Sequence, residues 1–234
     1  MNIQFMKPLQ TLSIEISKIK EQIITELPHY GHQSLFCNSH EITTGLLNNR
    51  IEIKINLITG QLQWYNDETV HYIDLFTDDI TKSLNEITQK YDLKGPETKL
   101  ENVDYAKLKW FDEYAMDAKN ILELFRMKLR DKLTLIHLWP HHFDFSVEWF
   151  TGNPDEQIGT GISPGDESSS EPYLYMNPYP FNEKVLEQKL PLGTWNTEGW
   201  KGVKIELKDL LKYPAENAAN KLHEVYNVVK TNFD

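Results

Sequence analysis

The residues best equipped for chemistry are gathered in one run, His137-Leu-Trp-Pro-His-His-Phe-Asp144. If 141–150 is a strand, alternate side chains share a face: His141, Phe143, Phe145, Val147 and Trp149 on one, His142, Asp144, Ser146 and Glu148 on the other. His142 and Asp144 would then stand about 7 Å apart at the backbone. A neutral imidazole beside a carboxylate can serve as a general base, or the two can bind one divalent cation. The plainer reading is a solvated strand face with an incidental His–Asp hydrogen bond. His141 ends the apolar face and reads as a half-buried, hydrogen-bonded histidine rather than a ligand.

Further groups follow within a short stretch. Asp166, Glu167 and Glu171 flank a glycine and three serines; such a loop is usually solvated and less often a cation site. Tyr173, Tyr175 and Tyr179 fall on alternate positions, as core or interface, or with Trp139 and Trp149 as the wall of a pocket for a flat or sugar-like ligand. Trp195-Asn-Thr-Glu-Gly-Trp200 is read first as a tucked-in structural loop. Glu198, if desolvated between the two indoles, would gain the raised pKa of an acid catalyst. The candidate catalytic set is therefore His142, Asp144 and Glu198. Asp166, Glu167, Trp139, Tyr173, Tyr175 and Trp200 form the binding set, and His137, His142, Asp144 and Glu171 the metal candidates. The cofactor is left open.

Two patterns are refused. Gly161-Ile-Ser-Pro-Gly165 matches the nucleophile elbow G-x-S-x-G, but that elbow opens a helix and uses the N–H after the serine, where this chain has Pro164. Gly159-Thr-Gly161 lacks the third glycine and the following helix of a dinucleotide fingerprint.

The elements that must position these groups are legible from periodicity. Leu9, Leu12, Ile16, Ile19 and Ile23 mark an amphipathic helix ending before Pro28. Residues 34–47 closing on Asn48-Asn49, the alternation Ile51, Ile53, Ile55, Leu57, then 61–66 and 70–75 read as four strands. Asp78 is the expected cap of a helix carrying Ile80, Leu84, Ile87 and Tyr91. After the Gly95-Pro96 connector a long helix spans Asp104 to Asp131. Strands are expected at 134–150, 157–163, 172–179 and 202–207, and a last helix from Pro214 to Thr231. The fold class is α+β. Its two helix–antiparallel sheet–helix halves, 1–95 and 96–234, could be a duplication packed together, though this element order is common.

Composition bounds the partners. Thirty-five acidic against 24 basic residues give a net charge of −11, which argues against nucleic acid or an anionic membrane surface. With 40% hydrophobic and 25% charged residues the chain can bury a core as an ordinary globular protein. The lone Cys37 excludes an internal disulfide and a cysteine zinc knuckle, and reads as a partly buried thiol in a reducing cytosol. No signal peptide or bilayer-spanning run is evident, so a cytoplasmic protein is expected.

The same residues resemble a family of bacterial proteins catalogued as a domain of unknown function. The resemblance lies in Leu138-Trp-Pro-His-His-Phe-Asp144, Gly161-Ile-Ser-Pro-Gly-Asp-Glu167, Glu171-Pro-Tyr-Leu-Tyr175 with Tyr179-Pro180, and Thr197-Glu-Gly-Trp200. It covers mainly the second half. The family pattern W-P-x-H-F-D falls on Trp139, Pro140, His142, Phe143 and Asp144, and some members carry histidine where this chain has Asn196. The resemblance implies no activity, substrate or cofactor.

Three functions stay open: a small-molecule or enzymatic pocket on the His142/Asp144 strand, a non-catalytic interaction module whose aromatic face meets a partner or a second copy, and a divalent-metal protein. The first requires His142 and Asp144 in a pocket near Glu198 or the acidic loop, and the second an exposed, apolar tyrosine face. His142 in bulk solvent with no carboxylate near it but Asp144 would remove both the first and the third.

Overall fold

A computed structural model of the chain describes residues 6–48, 50–129, 133–166 and 169–233. It is α+β, with helices and two antiparallel sheets, and it divides into two compact units. The first comprises Gln4–Met116 together with His137–Phe143; the second comprises Asp117–Ile136 and Asp144–Asp234 together with Met1–Ile3. The division thus falls inside a helix rather than at the Gly95-Pro96 connector. Among the described residues no helix is long and apolar enough to cross a membrane.

In the first unit, strands β1 (Phe36–Asn38), β2 (Glu41–Thr43), β3 (Glu52–Asn56), β4 (Gln61–Tyr65) and β5 (Val70–Asp74) form a meander in chain order. The stretch read as one strand over 34–47 is a hairpin, turning at Ser39 with φ +49°. Alternation sets the layers: Ile53 and Ile55 of β3 pair with Trp64 and Leu62 of β4, all fully buried, while Glu52, Lys54, Gln61 and Gln63 face outward. Helix α1 (Lys7–Ile23) buries Leu9, Leu12, Ile16 and Ile19, and α2 (Ile80–Lys90) buries Ile80, Leu84 and Ile87. The cap of α2 is Asp79, whose carboxylate accepts from the Lys82 N–H at 3.0 Å. Asp78 instead accepts from the Asp74 N–H.

Residues 137–143 return to this unit as an insert. Strand β6 (His137–Trp139) pairs through Leu138 with Leu35, both backbone bonds 2.9 Å. A turn follows over 140–143, closed by the Phe143 N–H on the Trp139 carbonyl at 2.6 Å, with Phe143 left-handed at φ +57°. Gln10 donates to the His141 carbonyl at 2.9 Å, and Phe143 stacks on Phe111 with centroids 4.6 Å apart. The continuous strand expected over 134–150 is therefore broken in the middle.

The second unit holds β7 (Asp144–Phe150), β8 (Gln157–Ser163), β9 (Tyr173–Tyr179), β10 (Thr194–Asn196) and β11 (Gly202–Glu206), with its strands in the antiparallel order β10-β11-β9-β8-β7. One face is apolar. Phe145, Val147, Ile158, Ile162, Leu174, Met176, Val203 and Ile205 are all buried. Helix α5 (Ala215–Lys230) buries Ala218, Leu222, Val225 and Val229. Helix α3 (Tyr105–Leu129) crosses from the first unit, and its second half buries Leu122 and Phe125. Edge-to-face contacts of Tyr226 with Trp149 (5.5 Å) and Phe125 (6.1 Å) tie sheet to helices. The short helix α4 (Leu207–Leu210) follows β11 directly. The opposite face of the sheet is polar, and it carries the candidate site.

Candidate functional site

Register assembles the polar face. Ser146 of β7 opposes Gly161 of β8, which opposes Tyr175 of β9, which opposes Lys204 of β11. One row away, Glu148 opposes Gly159, and Gly159 opposes Asn177. Because β8 offers only glycines in these two rows, side chains from β7 and β9 close over it from either side. The Tyr175 hydroxyl lies over Gly161, where a β-carbon would overlap it, and donates to Asp144 Oδ2. A β-carbon on Gly159 would sit 2.6 Å from Asn177 Oδ1 and 3.0 Å from Glu148 Oε2. The pattern refused as a dinucleotide fingerprint is a flat floor beneath two acids, a tyrosine and an amide.

Three acids surround this floor. Asp144 is 4% exposed. Glu148 is half-buried, and burial first, then the neighbouring Asp144 charge, raises its carboxyl to about 7. Burial and the Asp144 charge hold the Tyr175 hydroxyl well above its ordinary value, so it is a fixed donor. Asp166 accepts from the Tyr173 hydroxyl at 2.5 Å and from the Ser169 N–H at 2.9 Å. Burial and that bond raise Tyr173 as well. Trp200 stacks on Tyr173 at 6.3 Å and meets the Tyr175 edge at 6.1 Å, while the Lys204 ammonium lies 4.8 Å from the Tyr173 centroid and 3.6 Å from Glu206.

Two acceptors on this floor have no donor among the described residues. Glu148 Oε2 and Asn177 Oδ1 are buried and make no hydrogen bond. Among the described residues no lysine or arginine bears on the Glu148 carboxyl.

Among the expected residues, Asp144, Asp166, Tyr173, Tyr175 and Trp200 share this face or its rim. His142 does not. It is exposed in the turn at 140–143, because β7 begins only at Asp144 and the left-handed Phe143 ends the alternation that would have set the two on one face. The pocket and the metal site framed on His142 with Asp144 lose that residue. Glu198 is exposed in its loop rather than held between the indoles, its carbonyl accepting from Asn196 at 2.9 Å. Glu171 is also exposed. Glu167 lies outside the described residues. Ser163 ends β8 with no helix after it, and its hydroxyl accepts from the Gly165 N–H.

His137 and Trp139 belong to the first unit, where a second polar cluster is buried. His137 Nδ1 lies 2.6 Å from the Ser34 hydroxyl, and the Lys20 ammonium donates to the Gly31 (2.7 Å) and Ser34 (2.5 Å) carbonyls. Burial, with Lys20 and His29 adding to it, lowers His137 to about 4; burial lowers Lys20 to about 8. Ser34 is fully buried, so no substrate reaches its hydroxyl. Among the described residues no group of three or more His, Cys, Asp or Glu side chains is placed to hold a metal ion.

The residues that periodicity alone passed over are Glu148, Asn177, Gly159 and Gly161. Glu148 stood on the same strand face as Asp144. Its signal was the pair of same-face glycines on the next strand, which leaves a bulky acid room to lean inward.

No protein-family model matches the sequence, and comparison with curated proteins and with solved structures finds no match. What the site can do rests on its geometry: a carboxyl near 7 can exchange a proton at neutral pH, beside a carboxylate held by a tyrosine and under an aromatic rim.

Proposed function

We propose that this protein binds a small polar ligand on the polar face of β7, β8 and β9, with Glu148 and Asn177 reading the ligand's hydrogen-bond donors and Tyr173, Tyr175 and Trp200 forming the rim. The observation that carries this reading is the pair of buried acceptor oxygens, Glu148 Oε2 and Asn177 Oδ1, converging over Gly159 with no donor among the described residues. A buried polar atom left unpaired costs about 1–3 kcal/mol, and a fold that retains two at one spot is consistent with a ligand supplying the missing protons. The tyrosines favour this over an interaction face, since Tyr173 is buried and bonded to Asp166, and Tyr175 is bonded to Asp144.

Glu148→Gln tests it. The neutral amide removes the buried charge and can donate to Asn177. Ionisation of Glu148 opposes folding, so stability held below the ordinary carboxylate pKa of 4.5 is lost as pH rises through about 7. The variant is expected to unfold at higher temperature than the native protein at pH 8, by at most roughly 3 kcal/mol and less where water screens the group. At pH 4 the two should coincide. In a thermal-shift screen of small molecules, compounds that stabilise the native protein should fail on the variant. Hits that stabilise both equally would place the ligand elsewhere.

A further inference from the structure

We infer that the outer edge of β5 takes an extended segment of a partner protein, added to the sheet as a further strand, with apolar residues at its centre and lysine or arginine at its ends. The backbone carries the first part of the argument. The Leu75 N–H donates to the Gly60 carbonyl at 2.8 Å, and the Asn66 N–H to the Thr69 carbonyl at 3.0 Å. These bonds continue the register that sets Ile73 against Leu62 and His71 against Trp64, so this set of residues turns its backbone groups toward β4. The intervening set turns the other way. Asp74 shows it: its N–H goes to Asp78 Oδ2, and its carbonyl accepts the Asp78 N–H. Val70 and Tyr72 share that direction and present two N–H and two C=O groups outward. Among the described residues no strand lies beyond β5.

Other edges are closed or short. Leu35, leading into β1, spends both backbone groups on Leu138, and β7 receives the Thr134 N–H on the Glu148 carbonyl at 3.1 Å. Strand β10 has three residues. Strand β5 has five, and over 70–73 it lacks the proline, lysine or bulge that commonly guards an edge. Its solvent-face side chains Val70 and Tyr72 are 38% and 59% exposed. A strand laid here would gain main-chain bonds from the edge and a β-branched and an aromatic neighbour for its own apolar residues.

Charge chooses the partner. Asp67 and Glu68 precede the open segment, and Asp74 and Asp78 follow it. Asp67 pairs with Arg50 at 2.5 Å. Asp74 and Asp78 accept backbone N–H groups, which leave a carboxylate its charge. Basic residues at the two ends of the incoming strand therefore meet acid at both. A second copy is the poorer occupant. The two-fold register that bonds Val70 to Tyr72 of that copy sets Glu68 opposite Asp74 of that copy, like charge against like. Centring the pair on Tyr72 instead calls on the Asp74 backbone, which Asp78 already holds.

The test uses the full chain and three terminally capped hexapeptides of alternating valine and threonine. One ends in lysine on both sides, one in glutamate, and the third has lysine ends with every interior amide N-methylated. Amide exchange is followed by NMR at low salt. With the lysine-ended peptide filling nine-tenths of the sites, exchange at Val70 and Tyr72 is expected to slow about tenfold, and added salt should undo it. The glutamate-ended peptide should bind roughly tenfold more weakly, and the N-methylated one should give no protection. Tyr72→Pro removes a donor that β4 does not use, so the variant should melt near the native protein and yet lose the peptide. If that variant does not fold, the N-methylated peptide makes the same contrast on the native chain. Equal binding by the lysine- and glutamate-ended peptides would overturn the basic partner. Equal binding by the N-methylated peptide, or by a folded Tyr72→Pro, would overturn strand addition. Protection of Val70 and Tyr72 that rises with protein concentration alone would give the edge to a second copy instead. No protection at either residue with the lysine-ended peptide at about 5 mM would overturn the proposal outright.

Discussion

At the residue scale, burial displaces Glu148, Lys20 and His137 from their ordinary values, and each displacement has a sign that can be checked. Burial raises the Glu148 carboxyl to about 7 and lowers the Lys20 ammonium to about 8. His137 is held neutral, at about 4, with its Nδ1 against the Ser34 hydroxyl. A histidine whose folded pKa lies below its ordinary 6.5 contributes stability that is present above 6.5 and lost as pH falls through 4. His137→Asn can keep a polar atom facing Ser34 without a proton to gain. Urea unfolding of the native protein is expected to weaken by up to roughly 3 kcal/mol between pH 6.5 and 4 beyond whatever the variant shows. Parallel curves for the two proteins would show that His137 does not sense acid. None of these states was legible in the sequence. Both histidine and glutamate were visible, but their burial depends on which side chains lie opposite, and no local pattern records that.

At the element scale, periodicity carried the reading far. The stripe of α1, the alternation of β3 and the apolar face of α3 are set by local spacing, and the structure places them close to where the spacing does. Two features escaped. The turn at 140–143 rests on a left-handed phenylalanine, a conformation rare for a bulky residue and supported here by stacking on Phe111. Strand β10 has three residues and pairs only with β11, too short for any period to show. The pair of glycines on β8 is the opposite case, visible in the sequence but without meaning until register set Tyr175 and Glu148 across it. That meaning is testable. Gly161→Ala drives a methyl into the Tyr175 hydroxyl and must displace it from Asp144; a loss of about 1–3 kcal/mol is expected, as for overpacking in a tight interior. Adding Tyr175→Phe removes the clashing oxygen, so the double variant should recover part of the loss. Additive losses in the double-mutant cycle would mean that glycine is needed there for its backbone and not for the tyrosine.

At the scale of the whole molecule, the chain does not divide where its turn-forming residues suggest. Gly95-Pro96 punctuates the sequence, yet the first compact unit continues through the front half of α3 and takes back His137–Phe143 from the far side of the helix. The reason is burial. Leu108, Phe111 and Ala115 from α3, and Leu138 and Phe143 from the insert, are each fully buried, and Leu35 spends its backbone bonds on Leu138. A turn signal reports local chain direction, whereas a compact unit is bounded by what its apolar surface needs, and the two agree only when the covering residues are near in sequence. Within the histidine-bearing run, Leu138 and Phe143 help to cover this core, and Asp144 lies on the polar face of the second unit's sheet. It follows that a fragment of residues 1–95 lacks the cover of its own sheet. Such a fragment is expected to show no cooperative thermal transition by circular dichroism and to bind a dye for exposed apolar surface, while Leu138→Ala in the full chain should cost about 2–5 kcal/mol. A cooperative melt from 1–95 alone would show that the sheet, α1 and α2 suffice as a core, and that the insert decorates a unit already complete.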